Sequence, residues 1–144
     1  MKIVKGCRHI GIICKDIQKS LVFYKDYLGL RVIQDFLDDS DYINTITNMS
    51  NANVHMIKLE ANDGTVVELL DYTTHPTDLI EQKVYNSGAC HIAFRVYDID
   101  QAYIFLKNHN VHLLSKPTVS SEGIAKVCFC LDPNNIRIEL VEML

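Results

Sequence analysis

The chain has no excess of basic residues, no long apolar run, no disulfide framework and no low-complexity segment. Each absence excludes a class of protein. A formal net charge of −4 leaves no basic footprint for a nucleic acid or for an anionic membrane surface. No apolar stretch approaches the ~20 residues that cross a bilayer. The opening MKIVKGCRHI contains neither an extended apolar segment nor a small-residue cleavage site, so no secretory signal is expected. Cysteine is present but odd in number: Cys7, Cys14, Cys90, Cys128 and Cys130, all in apolar runs that read as strands. They are expected to be reduced core thiols of a cytoplasmic protein. Cys128 and Cys130 share a strand face, and C-x-C alone reads as buried thiol rather than metal ligand. What remains is an ordinary globular composition, 48% hydrophobic and 22% charged over 144 residues, enough for one domain with a real core.

Against that plain background one line is written twice. GCRHIGIICKDI (6–17) and GACHIAFRVYDI (88–99) both place a histidine three residues after glycine, then an apolar run, then Asp-Ile. After Asp16, an N-cap, the residues Ile17, Leu21, Tyr24 and Leu28 fall on one helix face, and Gly29 is the stop. After Asp98, the residues Ile99, Ala102, Tyr103 and Leu106 repeat that stripe, with Asn110 as a stop. Strands are expected over 7–14, 31–36, 54–60 and 65–72, then over 89–96, 111–115, 124–131 and 136–144. NDGTVVELLD (62–71) lies over PNNIRIELVE (133–142), matching Glu68 to Glu139. The expected fold class is therefore α+β: two βαβββ modules, about 7–72 and 89–144, joined by a linker at about 73–88. They are expected to form one pseudo-symmetric domain spanning 1–144, since neither half buries its sheet alone. The first module carries an extra polar stretch, 37–53, expected to be an inserted loop.

Strand side chains alternate faces. Ile10, Ile12 and Cys14 point under the first helix, which leaves His9 on the other face. The same alternation puts Val67 and Leu69 under the helix and Glu68 away from it. In the second copy Ile92 and Phe94 face the helix while His91 and Arg95 do not; Ile138 and Leu140 face it while Arg137 and Glu139 do not. Each copy thus sets one imidazole and one carboxylate on the sheet face its helix leaves uncovered. Two imidazoles and two carboxylates suit one divalent ion such as zinc, nickel, cobalt, manganese or iron(II), and they balance its charge. One histidine in a strand is more often a hydrogen-bonded core residue than a ligand. Recurrence at matching repeat positions is what favours the metal reading. His55, His75, His109 and His112 lack that symmetry and are expected to be surface or structural residues.

At these residues the chain resembles the vicinal oxygen chelate superfamily, which includes glyoxalase I, methylmalonyl-CoA epimerase, extradiol dioxygenases and the fosfomycin and bleomycin resistance proteins. HIGIICKDIQKSLVFYKDYLGL is similar to the family's opening strand and helix, GACHIAFRVYDID to its second opening, and DPNNIRIELVE to its closing strand. The resemblance implies two βαβββ modules in a pseudo-twofold half-barrel around a metal cleft. It also implies the ligand set His9, Glu68, His91 and Glu139, and a cleft completed within one chain or across a homodimer. Glutamate at position 68 leans toward glyoxalase I, because the epimerases usually carry glutamine there. YTTHPTDLIEQKVYNSGA (72–89) does not resemble the segment with which glyoxalase I helps to hold glutathione.

The chemistry expected of such a site is proton transfer next to a carbonyl. A metal that holds two adjacent substrate oxygens acidifies the neighbouring C–H. Glu68 and Glu139 are the acid–base pair expected to move the proton. Arg95 and Arg137 are candidates for an anionic substrate tail, against the plainer reading of exposed strand residues paired with acids. The expected function is a glyoxalase I-type isomerase or lyase acting on a small molecule. The alternatives are a methylmalonyl-CoA-type epimerase, an extradiol-type dioxygenase, or a non-catalytic small-molecule-binding protein of the resistance type.

Overall fold

The structure, a computed structural model, describes residues 1–144. The chain divides into two compact units, Met1–Asp78 and Leu79–Leu144, which correspond to the two copies of the repeat.

In the first unit, β1 (Ile10–Ile13) leads through Asp16 into α1 (Ile17–Leu21), whose winding widens into π-type turns over Val22–Tyr27. The Asp16 side chain accepts from the Lys19 backbone N–H at 3.0 Å, satisfying one of the helix's orphan donors. Gly29, at φ 80°, ends the helix as expected. Then come β2 (Arg31–Asp38), α2 (Asp41–Thr47), β3 (Val54–Glu60) and β4 (Val66–Tyr72). The sheet order is β1-β4-β3-β2, with β1 parallel to β4 and the other pairs antiparallel. Ile12, Cys14, Val67 and Leu69 are buried with Ile17, Phe23 and Tyr24 of the helix. The strand residues are those that alternation assigned to the core; on the helix Ile17 and Tyr24 of the expected stripe are buried, Leu21 and Leu28 are half-buried, and Phe23, outside that stripe, is buried too. A fully buried large aliphatic or Phe side chain contributes about 1.5–3 kcal/mol.

The second unit repeats the plan with β5 (His91–Arg95), α3 (Ile99–Asn108), β6 (Thr118–Val119), β7 (Ala125–Leu131) and β8 (Arg137–Met143). Its order is β5-β8-β7-β6, again with the first strand parallel to the last. Asp98 caps α3 through the Gln101 N–H, and Glu142 of β8 accepts from the Ile99 N–H at 2.9 Å. Asn110 takes the left-handed conformation just beyond the helix, at φ 57°.

Four expectations need correction. The first strand begins at Ile10 rather than residue 7, because β1 has one partner, β4, and their register opens at Ile10↔Val67. The segment 111–115 is not a strand. Its pairing with β7 is a single bridge, Leu113↔Cys130, held by the Leu114 N–H on the Phe129 carbonyl and the Leu131 N–H on the His112 carbonyl, and it ends where the Phe129 N–H donates to the Ser115 hydroxyl. Pro117 follows, with no N–H to donate, so pairing along that edge of β7 resumes only at Thr118. The stretch 37–53 is not all loop. It completes β2 and forms α2, closed by Asn48 in the left-handed conformation. Finally, Cys7 and Cys90 are exposed, while Cys14, Cys128 and Cys130 are buried. Cys7 precedes β1 and Cys90 precedes β5, so no sheet neighbour covers either thiol.

Candidate metal centre

Two turns of the same design set the geometry. Between β3 and β4, the Ala61 N–H donates to Thr65 and the Gly64 N–H returns to Ala61, with Gly64 at φ 85°. Between β7 and β8, the Asp132 N–H donates to Ile136 and the Asn135 N–H returns to Asp132, with Asn135 at φ 64°. Each turn fixes its hairpin register, and a slip of one residue would turn every side chain to the opposite face. The result is Lys58↔Glu68 in the first sheet and Phe129↔Glu139 in the second.

On the other side of each glutamate lies a parallel strand, β1 just after His9 in the first unit and β5 opening at His91 in the second. Gly11 is the partner of Glu68, and Ala93 the partner of Glu139. His9 and His91 stand two residues before those partners, on the same face. In the first unit His9 Nε2 lies 3.1 Å from Glu68 Oε2, and in the second His91 Nε2 lies 3.1 Å from Glu139 Oε2. The two pairs expected from the repeat therefore form. Their surroundings differ. Glu68 is nearly buried, its side chain 10% exposed, whereas that of Glu139 is 20% exposed and that of His91 54%. The His91 ring also meets Phe129 edge-on, with centroids 5.7 Å apart.

Lys58 was not anticipated as a site residue. Its Nζ lies 3.3 Å from Glu68 Oε1, so the carboxylate has imidazole on one oxygen and ammonium on the other. The signal was present in VHMIKLE, where Lys58 is a lone cation on the strand face of Val54 and Met56. Only the hairpin register shows which acid it meets.

The insertion also bears on this face. Ile43 of α2 is buried against Ala52, Val54 and Met56, with Met49, Leu70 and Tyr72 packed around them. Val54, Met56, Leu70 and Tyr72 alternate onto the face that carries Lys58 and Glu68. The insertion therefore covers one end of that face with an apolar cluster and leaves the charged row beyond it. The two arginines differ from each other. Arg137 donates to the Gln82 carbonyl at 2.8 Å, tying down the chain ahead of β5, while Arg95 is exposed. Among the remaining histidines, His55 pairs with Asp35 at 2.7 Å and His109 with the Phe105 carbonyl at 2.8 Å, both structural contacts.

Imidazole nitrogen with carboxylate oxygen is the donor chemistry of a divalent transition ion. Within each unit the gathering stops at two such donors, short of three or more His, Cys, Asp or Glu side chains. Each half thus fits part of a metal's coordination shell and not the whole.

Residues 6–140 match the sequence profile of the Glyoxalase/Bleomycin resistance protein/Dioxygenase superfamily. The chain belongs to this superfamily. It is 28% identical over 140 residues to the uncharacterized protein YwkD of Bacillus subtilis (strain 168), covering 97% of this chain and 98% of YwkD. It is 27% identical over 144 residues to the lactoylglutathione lyase of Schizosaccharomyces pombe, covering 92% of this chain but 46% of that enzyme. Among solved structures, a glyoxalase family protein from Bacillus cereus superposes with a TM-score of 0.90 at 22% identity, covering 99% of this chain and 97% of the other. The fosfomycin resistance protein FosX of Listeria monocytogenes, solved with Mn(II) and sulfate, superposes at 0.65 and 20% identity, covering 99% and 95%. These likenesses establish the superfamily fold of two paired modules for the glyoxalase-family chain.

Proposed function

We propose that this glyoxalase-superfamily chain is a divalent-metal-dependent isomerase or lyase that moves a proton next to a carbonyl of a small substrate. The donors of its one metal ion are His9, Glu68, His91 and Glu139, supplied by one chain or by two copies in a homodimer. The observation that carries the reading is the matched pair of His–Glu contacts, each at 3.1 Å and each at the same register position of its sheet. The Mn(II) in FosX and the activity of the distant S. pombe lyase are properties of those proteins, and they support the same direction.

When bound, the metal would hold substrate oxygens and acidify the adjacent C–H. The protein's own residues divide the remaining work unequally. Glu68 has both oxygens engaged, by His9 and by Lys58, which leaves neither free to take a proton from substrate. Glu139 has His91 alone within ion-pair reach and is the more exposed of the two. It is the better placed to take a proton from substrate and return it. Arg95, exposed beyond Ala93 on the same strand face, is the arginine left to meet an anionic tail, because Arg137 already holds the Gln82 carbonyl. Five free thiols suit a reducing compartment such as the cytoplasm.

The test is metal analysis of the purified protein, then a screen of the metal-loaded protein against hemithioacetals and acyl-CoA thioesters, with solvent deuterium exchange into the α-carbon as readout. Exchange that depends on both metal and Glu139 supports the reading. Oxygen consumption with a catechol and iron(II), without exchange, replaces it with a dioxygenase.

A further inference from the structure

Both sheets present the same address, directly across the hairpin from the glutamate, and they fill it differently. In the second sheet it holds Phe129, an uncharged ring against His91. In the first it holds Lys58, with Nζ 3.3 Å from Glu68 Oε1 and a side chain 17% exposed. Nothing in the repeat requires a cation there, because the second module builds the same hairpin without one.

A nearly buried carboxylate is costly unless positive charge compensates it. Glu139 has no lysine or arginine within ion-pair reach, so a bound ion is left to supply that charge. For Glu68 it is already present as an ammonium that belongs to the chain. The cation is also held in position. Its neighbours on the same strand face, Met56 and Val54, are packed under the insertion, and Phe36 of β2 lies under its ammonium at 6.0 Å. A divalent ion that takes Glu68 as a ligand must draw the carboxylate away from Lys58, and it then lies near an unpaired positive charge in a poorly solvated place.

We infer that Lys58 is a positioning residue that competes with the metal for Glu68, holding the first module's carboxylate in a metal-independent pair and making the two halves of the centre unequal in their demand for the ion. The inference rests on the metal reading above. It makes the His91–Glu139 half the one that recruits the ion, and the His9–Glu68 half the one whose grip Lys58 weakens.

The test is a direct titration of Mn(II) and Zn(II) by calorimetry into the full-length metal-free protein, comparing wild type with Lys58→Met, Lys58→Arg and the reciprocal Phe129→Lys. Methionine keeps the length of the stem and removes the charge. Lys58→Met should bind metal about tenfold tighter or more, and its metal-free form should melt lower, since Glu68 loses its counter-charge. The rise in melting temperature on adding metal should therefore grow. Lys58→Arg should restore wild-type affinity, and Phe129→Lys, which puts a cation beside Glu139, should weaken binding. A merely structural lysine would lower the melting temperature without tightening metal. Metal affinity that is equal or weaker in Lys58→Met, with wild type binding normally, overturns this inference alone. No metal uptake by wild type or by any variant overturns it together with the metal reading. If Lys58→Met does not fold, the Phe129→Lys titration decides by the same sign.

Discussion

Glu68 and Glu139 hold the same position in two different sheets. Glu68 pairs in parallel with Gly11, and Glu139 pairs in parallel with Ala93. In each case the histidine two residues earlier reaches the carboxylate at 3.1 Å. The relationship is a consequence of the repeat. The strand that begins at or just after the histidine is laid beside the strand that carries the glutamate, and a five-residue turn of one design fixes the neighbouring hairpin. What the repeat leaves free is what surrounds each pair, and there the modules part: ammonium beside Glu68, an aromatic edge beside His91.

Removing the histidines should remove the ion. A His9→Ala, His91→Ala double variant keeps both carboxylates and loses every imidazole donor of the proposed set. Elemental analysis after dialysis should find about one divalent ion per site in wild type and little in the variant. Added metal should raise the melting temperature of wild type only, by linkage. Equal metal content in the two proteins would place the site elsewhere.

Glu139→Gln keeps an oxygen donor and loses the base. Turnover should fall about 10²–10⁴-fold, the usual worth of general-base catalysis, with metal content unchanged. Glu68→Gln should cost less, because Glu68 is engaged by His9 and Lys58 and is not the group assigned to take the proton. Deuterium exchange into the substrate's α-carbon follows the step even where net conversion is slow. Undiminished exchange in metal-loaded Glu139→Gln would end the role assigned to it.

The two helix caps should make stability acid-sensitive. The Lys19 backbone N–H beside Asp16 and the Gln101 backbone N–H beside Asp98 hold both carboxyls below their ordinary value. A lowered folded-state pKa stabilises the fold above the unfolded pKa and is lost as pH falls through the folded value. An Asp16→Ala, Asp98→Ala variant should therefore melt several degrees below wild type at pH 7. The gap should close progressively as pH falls below about 4. A gap unchanged down to pH 2.5 would show that the caps act by something other than their charge.

Thiol reactivity should split the five cysteines. Cys7 and Cys90 are exposed and should react promptly with a thiol reagent at pH 8 in the native protein. Cys14, Cys128 and Cys130 are buried and should react only on unfolding. Burial pushes the Cys128 thiol up. It pushes Cys130 up to about 12, with the nearby Cys128 and Asp132 adding to the shift. Counting fast and slow thiols with and without denaturant checks this, and a third fast thiol in the folded protein would contradict it.

Much of this protein was legible from local rules. The doubled line announced two modules, because periodicity in sequence becomes periodicity in structure. Alternation along VVELLD and RIELVE assigned Glu68 and Glu139 to the face opposite Val67, Leu69, Ile138 and Leu140, since a strand has only two faces. Asp16, Gly29 and Asn110 marked helix ends through their own backbone and side-chain chemistry. Other features depended on neighbours distant in sequence. Lys58 became part of the site because the β3–β4 turn set it across from Glu68, and register belongs to a pair of strands. Within 37–53, Asp41–Thr47 became a helix because Ile43 found a buried seat on Val54 and Met56, a gain that exists only once the sheet is built. The segment 111–115 shrank to one bridge, at Leu113, because the Ser115 hydroxyl takes the Phe129 N–H that would have extended the ladder. Cys7 and Cys90 sat in apolar runs like the other three, yet no strand came to cover them. Burial is a property of the assembled sheet, and tertiary structure alone decides which apolar runs receive it.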